Sequence, residues 1–136
     1  MKRTATAVWN GTIKEGNGKL GTASGVLSET PYSFNSRFGD GTDTNPEELI
    51  AAAHAGCFSM KLSGVLTEAG FTPESIETTC TIEMKDLAIT TAHLKVKASI
   101  PGIDEAKFQE CATDAKENCP VSKALNLDIS MDAELA

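Results

Sequence analysis

Basic residues are scarce in this chain of 136 residues: 12 Lys and Arg stand against 19 Asp and Glu, giving a formal charge of −7 at pH 7. Nucleic-acid phosphates and anionic membrane surfaces both attract basic patches, so neither partner is expected. Long apolar runs also read as missing. Met1-Lys2-Arg3-Thr4 leads into alternating small and apolar residues rather than a continuous apolar leader, and no stretch reads as approaching the ~20 apolar residues of a membrane span. A soluble cytoplasmic protein is the expectation. There is no CxxC, and the only histidines are His54 and His93, so no zinc site, metal or cofactor is expected. Phe38-Gly39-Asp40-Gly41-Thr42 lies before a helix as a phosphate cradle does, but it lacks a Lys, and Asp40 and Asp43 would repel an anion. No internal repeat or low-complexity tract is present.

What remains is an ordinary globular balance, 40% apolar and 23% charged, enough for one domain over residues 1–136. Strand-like segments at Thr4–Trp9, Lys19–Leu27 and Pro31–Asn35 are separated by turn signals at Asn10-Gly11 and Glu15-Gly16-Asn17-Gly18. A polar, Gly-rich connection from Arg37 to Thr44 precedes a long helix. Asn45 suits its N-cap, Pro46 its first position and Glu48 the third position of a capping box, and Gly70 suits its stop. Ile76, Thr78, Cys80, Ile82 and Met84 then alternate as one strand, and Leu94, Val96, Ala98 and Ile100 as another. A second helix opens at Asp104, breaks at Asn118-Cys119-Pro120 and resumes to Leu125. A last strand alternates from Leu127 to Leu135. The outline βββαββαβ predicts an α+β fold of antiparallel sheets with a long central helix.

Four cysteines without a disulfide framework are expected to rest as thiols. Cys80 keeps phase with Ile76 and Ile82, and Cys111 with Phe108, Ala112 and Ala115, so both read as core. Two readings stand for Cys119. Followed by Pro120, it fits the N-cap of a new helix, where amides and the helix dipole favour an anion; four residues after Ala115, it also continues an apolar stripe. Cys57 falls mid-helix in an Ala-rich stretch, where periodicity alone makes it core. Reactivity there needs a cation from elsewhere, either His54 on the same face or the permanently charged Arg37.

Several segments together resemble one family. They are Ser24-Gly25-Val26-Leu27, Pro31 to Phe38, Thr44 to Met60, Glu68-Ala69-Gly70-Phe71-Thr72-Pro73, Pro101-Gly102-Ile103-Asp104 and Cys119-Pro120-Val121-Ser122. In that order they resemble the OsmC/Ohr thiol peroxidases, and the position of Arg37 after the third strand resembles the OsmC (osmotically inducible protein C) branch. The connection around Lys85-Asp86-Leu87 is shorter than in several relatives. The resemblance implies an OsmC-like fold and reduction of organic hydroperoxides, and of hydrogen peroxide more weakly. It assigns Cys57 as attacking thiol, Cys119 as resolving thiol, Arg37 as activating cation and Glu47 as the carboxylate orienting Arg37. A small-molecule hydroperoxide and a dithiol reductant, such as a lipoylated protein, are the implied partners.

Helix geometry adds an expectation of its own. Glu47 and Cys57 lie ten residues apart, about 15 Å along the axis and about 80° around it. An antiparallel helix pair centred near Ala52 would set Glu47 of one chain beside Cys57 of another, so an intertwined homodimer with composite sites is expected. Phe34, Phe38, Phe58 and Met60 are candidates for an apolar substrate wall. Two other functions fit the residues: a Cys57/His54 thiol hydrolase, and a redox-inert dimeric binding module.

Overall fold

The computed structural model describes residues 1–136 and divides into two compact units, Met1–Leu49 and Ile50–Ala136. The first unit holds an antiparallel sheet of β1 (Ala5–Asn10), β2 (Asn17–Thr22) and β3 (Thr30–Tyr32), then a short helix α1 (Phe34–Phe38). Gly18 stands between Trp9 and Tyr32 in the register, and those rings meet above it with centroids 5.4 Å apart. A Cβ at Gly18 would come within 2.6 Å of the Trp9 ring, so this row requires glycine.

β2 ends five residues earlier than its composition suggests. Thr22 turns the chain by accepting the Leu27 amide on Oγ1 (3.1 Å) while its own amide reaches the Leu27 carbonyl (2.9 Å). The strand expected through Asn35 also stops early, at Tyr32. Ser33 and Ser36 form a reciprocal capping box that starts α1, with amide–hydroxyl distances of 3.1 and 2.9 Å. Arg37 therefore sits in the last turn of a helix rather than in a loop.

α2 (Pro46–Glu68) is the longest element. Asn45 caps it, accepting the Glu48 amide at 2.8 Å, but the Glu48 carboxylate takes the Thr44 hydroxyl instead of closing the box. At the far end Gly70 adopts φ +91°, with Phe71 N–H on the Leu66 carbonyl and Gly70 N–H on that of Thr67. This is a Schellman stop, as Gly70 suggested. His54, Phe58, Leu62 and Leu66, four residues apart, make the buried ridge.

The expectation that no stretch approaches a membrane span is corrected by this helix. Its Ala- and Gly-rich sequence sustains a mean hydropathy of 1.4 over 18 residues, enough in length and composition to cross a membrane. The apolarity is spread round the helix: Ala52, Ala53, Gly56, Met60 and Gly64 form an exposed stripe opposite the ridge.

The second unit's sheet is ordered β4 (Ser75–Lys85), β5 (Ala88–Ser99) and β6 (Asp128–Leu135). β4 and β5 form a hairpin through Asp86 and Leu87, both at positive φ, as a two-residue turn of matching twist requires. β6, however, pairs with β5 in parallel, which corrects the expectation of purely antiparallel sheets. Helices α3 (Glu105–Asn118) and α4 (Pro120–Ala124) carry the chain back, so β6 starts at the same end as β5. The core packs Phe58, Leu62 and Leu66 against Leu94, Val96 and Ala98 of β5 and Phe108, Ala112 and Ala115 of α3.

Candidate active site

Pro120 decides where α3 ends. It has no N–H to donate, so the helical ladder breaks there, while its fixed φ suits the first position of α4. Cys119 occupies the joint. Its amide closes α3 on the Ala115 carbonyl (2.9 Å), and its own carbonyl opens α4 by accepting Lys123 N–H (3.0 Å). It is at once the C-cap of α3 and the N-cap of α4, with its side chain wholly buried. Both sequence readings hold, for the cap position and for the apolar interior.

The Cys119 sulfur lies 2.9 Å from that of Cys57, across 62 residues of sequence, and both are free thiols. Cys57 is half-buried in the middle of α2, at the edge of the core. The two sulfurs are unequal in charge. Burial pushes the Cys57 thiol up, and Cys119 pushes it further, as hydrogen-bond partner and as a neighbouring charge. Burial opposes ionisation at Cys119 too, but the hydrogen bond from Cys57, the amide and hydroxyl of Ser122 and the amide of Val121 outweigh it and bring its pKa down. Access therefore favours Cys57, and charge favours Cys119.

His54 is not the cation Cys57 needs. It is fully buried, with Nε2 at 2.8 Å from Ser122 Oγ and Nδ1 at 3.7 Å from Cys80 Sγ. Burial lowers its pKa and keeps the imidazole neutral. With both nitrogens engaged, it is also not free to serve Cys57 as a base. Cys80 is half-buried rather than fully core and ends this chain of contacts, whereas Cys111 is core as expected.

In the first unit, Arg37 grips Glu47 in a fork. Nη2 lies 2.7 Å and Nε 3.1 Å from Oε1, with Nε 3.3 Å from Oε2. The Ser36 hydroxyl donates to the Thr44 carbonyl (2.8 Å) and Asn45 Nδ2 to the Ser36 carbonyl (3.2 Å), tying α1 to the start of α2 and fixing both ends of the fork. The Glu47 that holds Arg37 thus belongs to the same chain. The guanidinium carbon lies 5.2 Å above the Phe38 ring. Beside it Trp9, Tyr32, Phe34 and Phe38 line a largely apolar cleft of about 210 Å³. Of the expected apolar wall, Phe34 and Phe38 are here; Phe58 is core, and Met60 is on the exposed stripe of α2.

The family model for OsmC-like proteins matches residues 39–134. Peroxiredoxin OsmC of Escherichia coli (strain K12) is 50% identical over 99% of this chain and 97% of its own length. The chain belongs to the OsmC family. Organic hydroperoxide resistance protein OhrB of Bacillus subtilis (strain 168) is 32% identical over 87% of this chain and 88% of its own. Among solved structures, an OsmC-like protein from Mycoplasma pneumoniae shares the fold at a TM-score of 0.78 and 14% identity, over all of this chain and 98% of that one.

Within this OsmC-family chain, sequence reasoning missed the part played by Ser122. The signal was available: Ser122 stands three residues beyond the cap residue Cys119, where in a capping box amide and side chain both face the cap. The aromatic pair Trp9 and Tyr32 beside Arg37 was missed as well, because a strand pairing rather than local sequence brings them together.

Proposed function

We propose that the protein is a cysteine-based peroxidase that reduces organic hydroperoxides to alcohols, with Cys57 attacking and Cys119 resolving. The observation that carries this reading is the 2.9 Å approach of two free thiols of which only Cys57 reaches solvent. The Cys57 thiolate attacks the outer oxygen of ROOH. The O–O bond breaks, the alkoxide takes a proton and leaves as ROH, and Cys57 becomes a sulfenic acid. Cys119 then attacks that sulfur and expels the hydroxyl as water, forming the disulfide. An external dithiol returns both thiols by exchange; a lipoylated protein has the required chemistry. A reducing cytoplasm suits this cycle.

Arg37 is the cation of this reading, and the Glu47 fork holds its guanidinium in one orientation for the thiolate and the developing alkoxide. The aromatic cleft beside Arg37 favours an organic hydroperoxide over hydrogen peroxide, because its apolar wall gains from burying an alkyl or aryl group. The names of the relatives, a peroxiredoxin and an organic hydroperoxide resistance protein, agree with this chemistry. No comparable support exists for the thiol hydrolase, since His54 faces Ser122 and Cys80.

We place the working enzyme in a homodimer. The exposed small-residue stripe of α2 allows a second α2 to approach closely; a Cβ at Gly56 or Gly64 meets nothing within 4 Å in this chain. Antiparallel pairing about Ala52 would bring the Arg37–Glu47 fork of one chain to Cys57 of its partner.

The test is thiol titration before and after one equivalent of cumene hydroperoxide. Loss of two thiols, abolished by Cys57→Ser, supports the peroxidase, and unchanged thiols overturn it. For the composite site, Glu47→Gln and Cys57→Ser chains are mixed and their heterodimers assayed. Absence of any rescued activity removes the shared site.

A further inference from the structure

His54 is the largest of the buried polar side chains, and the reaction above makes no use of it. Its surroundings form a continuous line: Cys80 Sγ to Nδ1 at 3.7 Å, Nε2 to Ser122 Oγ at 2.8 Å, and Ser122 beside Cys119. A neutral imidazole has one N–H and one lone pair, and a serine has one O–H, so the two tautomers of His54 make different demands on the Ser122 hydrogen. In one, Nδ1–H points to Cys80, and the Ser122 hydroxyl spends its only hydrogen on Nε2, leaving none for Cys119. In the other, Cys80 S–H points to Nδ1, Nε2–H points to Ser122, and the Ser122 hydrogen is free to turn to Cys119, three residues before it at the cap of α4. Only the second leaves a hydroxyl donor for a thiolate at the joint of α3 and α4.

We propose that His54 and Ser122 are positioning residues for disulfide formation: Nε2–H of His54 turns the Ser122 hydroxyl so that it donates to Cys119 Sγ. The proposal rests on the reading of Cys57 as attacker and Cys119 as resolver. In the step concerned, the Cys119 thiolate lone pair forms the S–S bond to Cys57, and the Cys57 S–O bond breaks. The departing hydroxide takes up one proton, equal to the one Cys119 gave up, and leaves as water. A donor at Cys119 raises the fraction of thiolate available for that attack. In the reduced pair the same donor acts oppositely, drawing the anion away from Cys57. Removing it therefore slows resolution and leaves the first oxidation unchanged or faster. A loss of packing alone would slow both steps together.

The experiment is a single turnover with cumene hydroperoxide, following Cys57 sulfenic acid by dimedone capture and mass spectrometry, and disulfide by loss of the second thiol. Ser122→Ala and His54→Leu are expected to accumulate sulfenic acid and form disulfide about tenfold more slowly, the loss of one hydrogen bond to a charged group. Ser122→Thr, which keeps the hydroxyl, and His54→Gln, which keeps a donor near the Nε2 position, are expected to restore the rate. An unchanged disulfide rate in Ser122→Ala overturns the proposal. So does equal slowing of both steps that Thr and Gln fail to restore. Cys119→Ser is the control: if it too yields no captured sulfenic acid, the attacker–resolver reading itself fails. Capture in Cys119→Ser beside a normal Ser122→Ala defeats this proposal alone.

Discussion

Glu47→Gln separates orientation from stability. The substitution keeps the shape of the side chain but removes its charge, and leaves one oxygen where the fork to Nε and Nη2 used two. The Arg37 side chain is 37% exposed, so solvent screens the pair and its contribution to folding is small, about 0–1 kcal/mol. For a chain of this size the melting temperature should fall by no more than about 3–5 °C. Activity has more at stake. Two charge-assisted hydrogen bonds fix one guanidinium orientation, and hydrogen bonds to charged groups contribute about 1.5–3 kcal/mol. Their loss lets the guanidinium swing over the Phe38 ring, and kcat/KM for cumene hydroperoxide should fall about 10- to 100-fold. Arg37→Lys keeps the charge but loses the fork and should match Glu47→Gln, and the double variant should add little further loss. The assay is steady-state turnover with a dithiol, beside thermal unfolding of each variant. Glu47→Gln with wild-type kcat/KM, or additive losses in the double variant, would refute an Arg37 positioned by Glu47.

Four further outcomes follow from the geometry. Cys119→Ala removes the neighbour that raises the Cys57 pKa, so the pH profile for iodoacetamide alkylation of Cys57 should move to lower pH; movement upward contradicts the shared proton. Cys119→Ser should consume one equivalent of hydroperoxide and then stop, with a sulfenic acid capturable at Cys57; continued dithiol-driven turnover would remove Cys119 from the cycle. Burial lowers the His54 pKa, so below about 6.5 the unfolded chain takes up a proton that the folded chain refuses. Stability should therefore decline as pH falls from about 6.5 toward the lowered folded value, and His54→Gln should flatten that slope in denaturant melts. Gly56→Leu meets no obstacle within the chain, so a monomer would tolerate it or gain some helix propensity. On a closely packed helix pair it should shift sedimentation toward monomer and reduce activity.

Local patterns reported the long elements well. Asn45, Pro46 and Gly70 marked both ends of α2, and the alternation of β4 and β6 was visible residue by residue. The parallel pairing of β6 was hidden, because alternation reports which face is buried and not which way the neighbouring strand runs. α1 was hidden as well, because its start depends on two serines three residues apart inside a segment that otherwise reads as strand. At the site, the joint at Cys119-Pro120 was legible from proline's missing donor. The hydrogen-bonded line from Ser122 through His54 to Cys80 was not, since its members come from α4, α2 and β4. Nor could periodicity distinguish Cys57 from a core alanine; only its approach to Cys119 does so.

The parallel crossover also bears on when the reactive pair comes into being. Cys57 lies before the sheet in sequence, Cys119 lies after β5, and α3 and α4 are tethered at their far end by β6, the last strand of the chain. Pairing of β6 with β5 spans sequence separations of about 37 residues, from Thr91↔Asp128 to Ala98↔Leu135, and such non-local pairing forms slowly. Cys119 is thus carried in a crossover held at both ends by that pairing, and the two-thiol centre, itself joined across 62 residues, is completed late, as non-local contacts form.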